Sequence, residues 1–264
     1  LHSAGCFRRG AGRIRGSLIP ELEYLARTAA EEPELVSQIL SELRVLSPQE
    51  RRLFLLVLKS LPAHVGVVFC PRVLRWVSDG RGLEVWQGGL AQYVLTLAHG
   101  GCVREAMMLV RRAIGFESDQ QGLGAPSTRL PAPWYESFVT EVVPSLSAAD
   151  GMGTLRLLCA VLDSCLSQLK QIEQRNGELR EDLSWMWRPA IEDHEQNEPE
   201  DPRGVLISQV RNLGLILAAS SEDAGREVLG VLGAKPWRLF VRLSLHILRV
   251  HRAPLDLVRA RLVD

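Results

Sequence analysis

The sequence predicts an all-α fold, an α-solenoid built from degenerate HEAT-, ARM- or TPR-like helical hairpins. Three observations predict it. Helical punctuation recurs along the whole chain, a proline or small polar residue followed by an amphipathic run and then by Gly, Pro or Asp-Gly. No stretch shows sustained period-two alternation. The helical runs are numerous, short to medium in length and joined by short loops, which suits stacked hairpins better than a four-helix bundle.

In chain order, Pro20 opens a segment through Ala30, and Pro33 opens the next, with Leu35, Ile39, Leu40, Leu43 and Leu46 on one face. Ser47-Pro48-Gln49-Glu50 is a capping arrangement: Ser47 can accept from the first-turn amides, and Pro48 gives up no needed hydrogen bond. The helix it starts, through Leu61, carries the densest apolar run, Leu53 to Leu58, and should be buried on most sides. A shorter run after Pro62 is interrupted or bent at Pro71 and closes at Ser78-Asp79-Gly80. Val85 to Ala98 and Val103 to Ile114 form a hairpin joined at His99-Gly100-Gly101, the second run marked by Val103, Ala106, Met107, Val110 and Ile114.

Residues Glu117 to Pro133 are a Gly, Pro, Ser and Thr-rich loop. Trp134 to Leu146 is helical, ended or bent at Pro144, and Ala149-Asp150-Gly151 separates it from the longest stripe: Leu155, Leu158, Cys159, Leu162, Leu166, Leu169 and Ile172, stopped by Asn176-Gly177. Leu206, Val210, Leu213 and Leu217 define another helix, Val228 to Leu232 a short one, and Phe240, Val241, Leu245 and Leu248 a last one before Pro254. The domain reading is a basic, Gly-rich, disordered segment at 1–19 and a helical solenoid at 20–264, with break points at the loop 117–133 and the acidic loop 192–203. No short fixed repeat period emerges.

Composition narrows the function classes. Apolar residues make up 46% of the 264 residues, ample for a core. Lys plus Arg (31) cancels Asp plus Glu (31), so no global charge draws the chain to nucleic acid or to an anionic membrane. The five cysteines, Cys6, Cys70, Cys102, Cys159 and Cys165, form no C-x-x-C pair and read as small buried hydrophobes in a reducing compartment. No apolar run approaches the ~18 to 20 residues of a membrane span, and the expected location is cytoplasmic. The start at Leu1 and the end at Asp264, just after a helix-like stretch, read as those of a fragment, and the Arg-rich stretch Phe7 to Ser17 as a linker rather than a transit peptide or nucleic-acid arm.

Enzyme signatures are missing: there is no G-x-x-x-x-G-K-[ST], no G-x-S-x-G elbow and no H-E-x-x-H helix, so no catalytic, cofactor or metal residue is assigned. The densest cluster of uncommon residues is Trp185, Trp187 and Arg188 followed by Glu192, Asp193 and His194. Tryptophan and arginine dominate many interfaces, yet the same side chains can build a clasp between helices, with Arg188 stacked on a ring or paired to Glu192 or Asp193. The clasp is the favoured reading. Glu192, Asp193 and His194 could also supply metal or acid-base chemistry, although adjacent residues seldom converge on one ion. Arg238, Arg242 and Arg249 fall near one side of the last helix, a candidate basic face for nucleic acid. The acidic block from Glu173 to Asp201 is its candidate internal partner.

At Trp187-Arg188-Pro189-Ala190-Ile191-Glu192-Asp193-His194-x-Gln196-Asn197, with Ser147-Ala148-Ala149-Asp150-Gly151 and Leu155-x-x-Leu158-Cys159-x-x-Leu162 before it, the chain resembles the helical regions of very large bacterial ATP-binding proteins of unassigned function. Those proteins carry an upstream P-loop NTPase unit and are similar in layout to STAND-type signalling ATPases of phage defence. The resemblance spans Pro33 to Leu217. It implies a non-catalytic scaffold or sensor arm that contacts a protein partner or flanking domains of its own chain, and it carries over no catalytic residue.

Overall fold

The computed structural model describes residues 18–45, 47–79, 83–117, 126–175, 182, 184–195, 197 and 201–251, apart from the side chains of 83–87 and 170–175. The segment 1–17, Cys6, Leu46, the stop at Asn176-Gly177, and Arg252, Pro254, Arg259 and Arg261 lie outside them. The chain is mostly helical and divides into two compact units, Leu1–Ala113 and Ile114–Asp264.

The first unit contains α1 (Ile19–Thr28), α2 (Pro33–Glu42), α3 (Pro48–Ser60), α4 (Ala63–Gly66), α5 (Cys70–Asp79), α6 (Leu83–His99) and α7 (Val103–Ile114, which crosses the boundary by one residue). Helix α3 is its centre, packing on α1 and α6, with Phe54, Leu55, Val57 and Leu58 fully buried. Its start follows the sequence rule: Ser47 Oγ accepts from Glu50 N–H, and Glu50 reaches back to the Ser47 amide. Glu50 is itself buried, because the same carboxylate also accepts from the Leu18 amide ahead of α1.

Other elements depart from the sequence pattern for local reasons. In α2 the buried face is Val36, Ile39, Leu40 and Leu43, a clean i, i+3, i+4, i+7 set, and Leu35 faces solvent. Pro71 does not end a helix; it sits in the first turn of α5. The interruption falls before it, in a 3-10 turn at Val67–Phe69. Proline cannot donate to the carbonyl four residues back, and the Val67 carbonyl takes the Cys70 amide instead. Helix α6 ends in a Schellman motif: Cys102 N–H donates to Leu97 O (2.8 Å), Gly101 N–H to Ala98 O (3.3 Å), and Gly101 has φ +82°. In α7 the core face is Ala106, Leu109, Val110, Ala113 and Ile114, with Met107 only half-buried.

A cation ties α2 to α5. Arg72 donates to the carbonyls of Leu40 (3.0 Å) and Leu43 at the C-terminus of α2, while its guanidinium lies over Phe54 (4.7 Å) and Trp76 (5.4 Å). Phe54 in turn packs edge-on against Phe69 and Trp76.

The second unit contains α8 (Ala132–Ala149), α9 (Gly151–Arg175), α10 (Pro202–Ala218), α11 (Glu222–Gly233) and α12 (Arg238–Val250). The expected loop at 117–133 carries a short antiparallel pair, β1 (Phe116–Glu117) and β2 (Ser127–Thr128), too brief for any alternation to show in the sequence. Helix α8 runs on through Pro144 to Ala149. Asp150 then caps α9 by accepting from the Gly153 amide (2.8 Å). Along α9 the buried stripe is Leu155, Leu158, Cys159, Leu162, Cys165 and Leu166. Burial pushes the thiols of Cys159 and Cys165 up to about 12, so both remain protonated packing groups.

Helix α10 packs against α8, α9, α11 and α12 and is the centre of this unit. Helix α11 starts six residues before Val228, because Ser221 caps it and Glu222 and Asp223 sit on its positive end. Helix α12 buries Leu239, Phe240, Leu243, Ile247 and Leu248, while Val241 and Leu245 are half-buried. No helix among the described residues is long and apolar enough to cross a membrane.

Gly101→Ala should lower stability by about 1 kcal/mol, the cost of a Cβ in the left-handed region. Gly100→Ala should cost more, since its Cβ would meet the Cβ of Ala63 in α4. Urea unfolding of the two variants checks both the size and the order.

Candidate functional site: an arginine-held clasp on α10 and α12

The residues Ser184 to Glu195 form one 3-10 turn (Ser184–Trp187) and then an irregular strap. An irregular backbone leaves carbonyls without ladder partners, and buried carbonyls must find donors elsewhere. Arginines supply them. Arg242 of α12 donates to the carbonyls of Trp185, Arg188 (2.9 Å) and Pro189 (2.8 Å). Arg211 of α10 donates to Ile191 O (2.8 Å) and holds the Asp193 carboxylate through two bonds of 2.9 Å. Arg188, within the strap, turns back to donate to Ile191 O and Gly204 O (both 3.3 Å), Glu192 O (3.4 Å) and Asp193 Oδ1 (2.9 Å).

The strap also caps α12. Trp237 at the N-cap position offers no side-chain acceptor. Asp182 accepts from the Arg238 amide and Ser184 Oγ from the Leu239 amide (3.2 Å), satisfying two of the exposed first-turn donors from far away in the chain. Asp163 of α9 steadies the approach to α12, accepting from Lys235 Nζ and Trp237 Nε1, each at 2.7 Å.

The residues singled out by sequence fall into distinct places. Arg188 is 5% exposed and is paired to Asp193. Trp187 is half-buried under the Arg203 guanidinium, 4.8 Å from its ring centroid. Trp185 is 41% exposed and Met186 54%. Glu192 and Asp193 diverge, Glu192 to Arg249 and His246, Asp193 to Arg211 and Arg188, and His194 is exposed. No group of three His, Cys, Asp or Glu side chains able to hold a metal occurs among the described residues. Of the candidate basic face, Arg242 serves strap carbonyls and Arg249 serves Glu192, while the Arg238 amide is held by Asp182. Arg211, Asp182 and Arg203 lie outside the Trp185 to His194 cluster that the sequence marks, since the partners that give them their roles stand up to 56 positions away and leave no periodic signal.

Electrostatics follow from burial. Desolvation, with Arg211 close by, draws Arg188 below its ordinary value, and Asp193 partly offsets that. The Arg211 hydrogen bond, with the two positive charges, holds Asp193 below the usual carboxylate range. Glu192 is held down first by a backbone hydrogen bond and then by Arg249. Burial lowers His246, helped by Arg249 and Arg211 and opposed by Glu192, so it stays neutral near pH 7.

Those directions fix the acid response. Below the ordinary histidine value of 6.5, the unfolded chain binds a proton that the folded His246 refuses, so stability falls as pH drops from 6.5 toward the lowered value. Glu192 and Asp193 stabilise the fold above their ordinary values, and that contribution disappears as pH falls through the lowered ones. Thermal unfolding between pH 8 and 3 should therefore show an early decline that His246→Gln removes and a later one that it leaves. Arg242→Met should cost about 2 kcal/mol by stranding strap carbonyls, and Ser184→Ala about 1 kcal/mol through the lost cap. Denaturant titration reads both. Compared with known proteins, the chain matches no family model, no curated protein and no solved structure at a significant level.

Proposed function

We propose that this chain is a non-catalytic helical scaffold or sensor segment of a larger bacterial protein, its hairpins stacked as a degenerate α-solenoid, and that it works through protein-protein or interdomain contacts. The observation that carries the reading is the exposure of Trp185 and Met186 on a backbone fixed from behind by Arg242. Large apolar side chains displayed on a held backbone lose little freedom when a partner covers them, and tryptophan and methionine are frequent contact residues. The resemblance to the helical arms of large ATP-binding proteins supports the same role.

The nucleic-acid reading draws less support, because Arg242 and Arg249 already hold carbonyl and carboxylate groups of their own chain. Steeply salt-dependent DNA binding, abolished by Arg238→Glu with Arg242→Glu, would restore it.

The contact reading is tested by a photo-crosslinking residue at position 185 of the full-length protein in its host. A discrete crosslinked product is expected there and not at the exposed control position Asp223 of α11. Absence of any product at 185, or ATP hydrolysis by the purified chain, would overturn the proposal.

A further inference from the structure

Arg188 and Arg211, each 5% exposed, converge on one carboxylate. That carboxylate belongs to Asp193, whose side chain is 81% exposed. In an ordinary buried ion pair both partners are hidden, and neither can leave without exposing core. Here the cations are inside and the anion is outside, so Asp193 can swing into water while the two guanidinium groups stay in place. Its hold is that of a tethered acid at a finite effective concentration, and a carboxylate in solution competes with it on equal chemical terms.

A cleft of about 250 Å³ opens beside Arg188 and Asp193, lined in part by Glu136, Thr140, Arg188, Asp193, Asn197 and Ser208, a size at the low end for a small ligand; Arg211 meets it through Asp193. Asn197 adds a second, independent signal. Its Nδ2 donates to Glu192 O (2.8 Å), whereas its Oδ1 is buried without a hydrogen-bond partner. An unpaired buried acceptor costs free energy, and turning this one toward the cleft would let a ligand N–H recover it.

We infer that Arg188 and Arg211 form a binding site for the carboxylate of an N-acylated amino acid, such as the C-terminus of a peptide, with Asp193 as its displaceable resident and Asn197 Oδ1 as acceptor for the ligand amide. Both guanidinium groups offer the paired, planar donors that a carboxylate matches. The site rests on the contact reading only in naming a peptide as the source of the ligand; the carboxylate chemistry stands on the two guanidinium groups and the cleft.

The test titrates N-acetylglycine, N-acetylglycinamide and acetate into the wild-type chain and into Asp193→Ala, Asp193→Asn, Asn197→Ala and Asp223→Ala, reading the shift in melting temperature. N-acetylglycine should bind Asp193→Ala about tenfold more tightly than wild type, since removing the resident frees the competent state. Asp193→Asn keeps the side-chain shape, guards against a folding defect and should show the same direction. The amide should not bind, and N-acetylglycine should outcompete acetate by a margin that Asn197→Ala erases. Equal affinity of wild type and both Asp193 variants, equal tightening in the charge control Asp223→Ala, or binding of the amide would each overturn the inference. A peptide with a free C-terminus that binds more tightly than N-acetylglycine identifies a peptide source, and equal affinity identifies a free acylamino acid; both outcomes support the site. Failure here leaves the crosslink at position 185 untouched, so the two proposals fall separately.

Discussion

Main-chain carbonyls outside regular structure must be hydrogen-bonded if they are to be buried, and in this protein guanidinium groups meet that demand. Arg242, Arg211 and Arg188 together bind the carbonyls of residues 185, 188, 189, 191, 192 and 204. These bonds let the strap lie on α10 and α12; among the described residues no helix or strand amide outside it donates to its carbonyls. Arginine suits the task better than lysine: its fixed fork reaches several acceptors at once and stays charged when desolvated. The first unit uses the same device on a smaller scale, where Arg72 holds the last carbonyls of α2 while stacking on Phe54 and Trp76.

This arrangement gives the Trp185 to His194 region two layers of different character. Arg188 and Ile191 are internal connections, and the exposed Asp193 bridges from outside to two buried arginines. Trp185 and Met186 are carried outward by the same backbone. A cluster of uncommon residues therefore has no single role, and residues three positions apart do opposite work.

The helical class was legible because helices are local: the capping box at Ser47 and Glu50, the spacing along α9 and the Asp150 boundary all lie within a few residues of what they control. Faces were less legible. Leu35 and Val36 are equally apolar neighbours, and only packing decides which turns inward. The early start of α11 does not show in its apolar pattern, which begins late; its signal is polar, Ser221 followed by Glu222 and Asp223. Within the strap, the crowding of tryptophan, arginine and acids was visible, and so was the pairing of Arg188 with a nearby carboxylate. Arg211, 18 residues beyond Asp193, looked like any other helical arginine until the fold brought the two together.

Helix α12 begins without a start signal of its own, and its first-turn amides are answered by Asp182 and Ser184, 55 or more residues upstream. A helix normally nucleates from information in its own first turn, and its later packing merely selects among helices already possible. For α12 two of the first-turn amides are satisfied only when a long loop is closed, so that part of its stability carries the entropy of loop closure. Strap and helix are therefore expected to open together in hydrogen exchange, although they are distant in sequence.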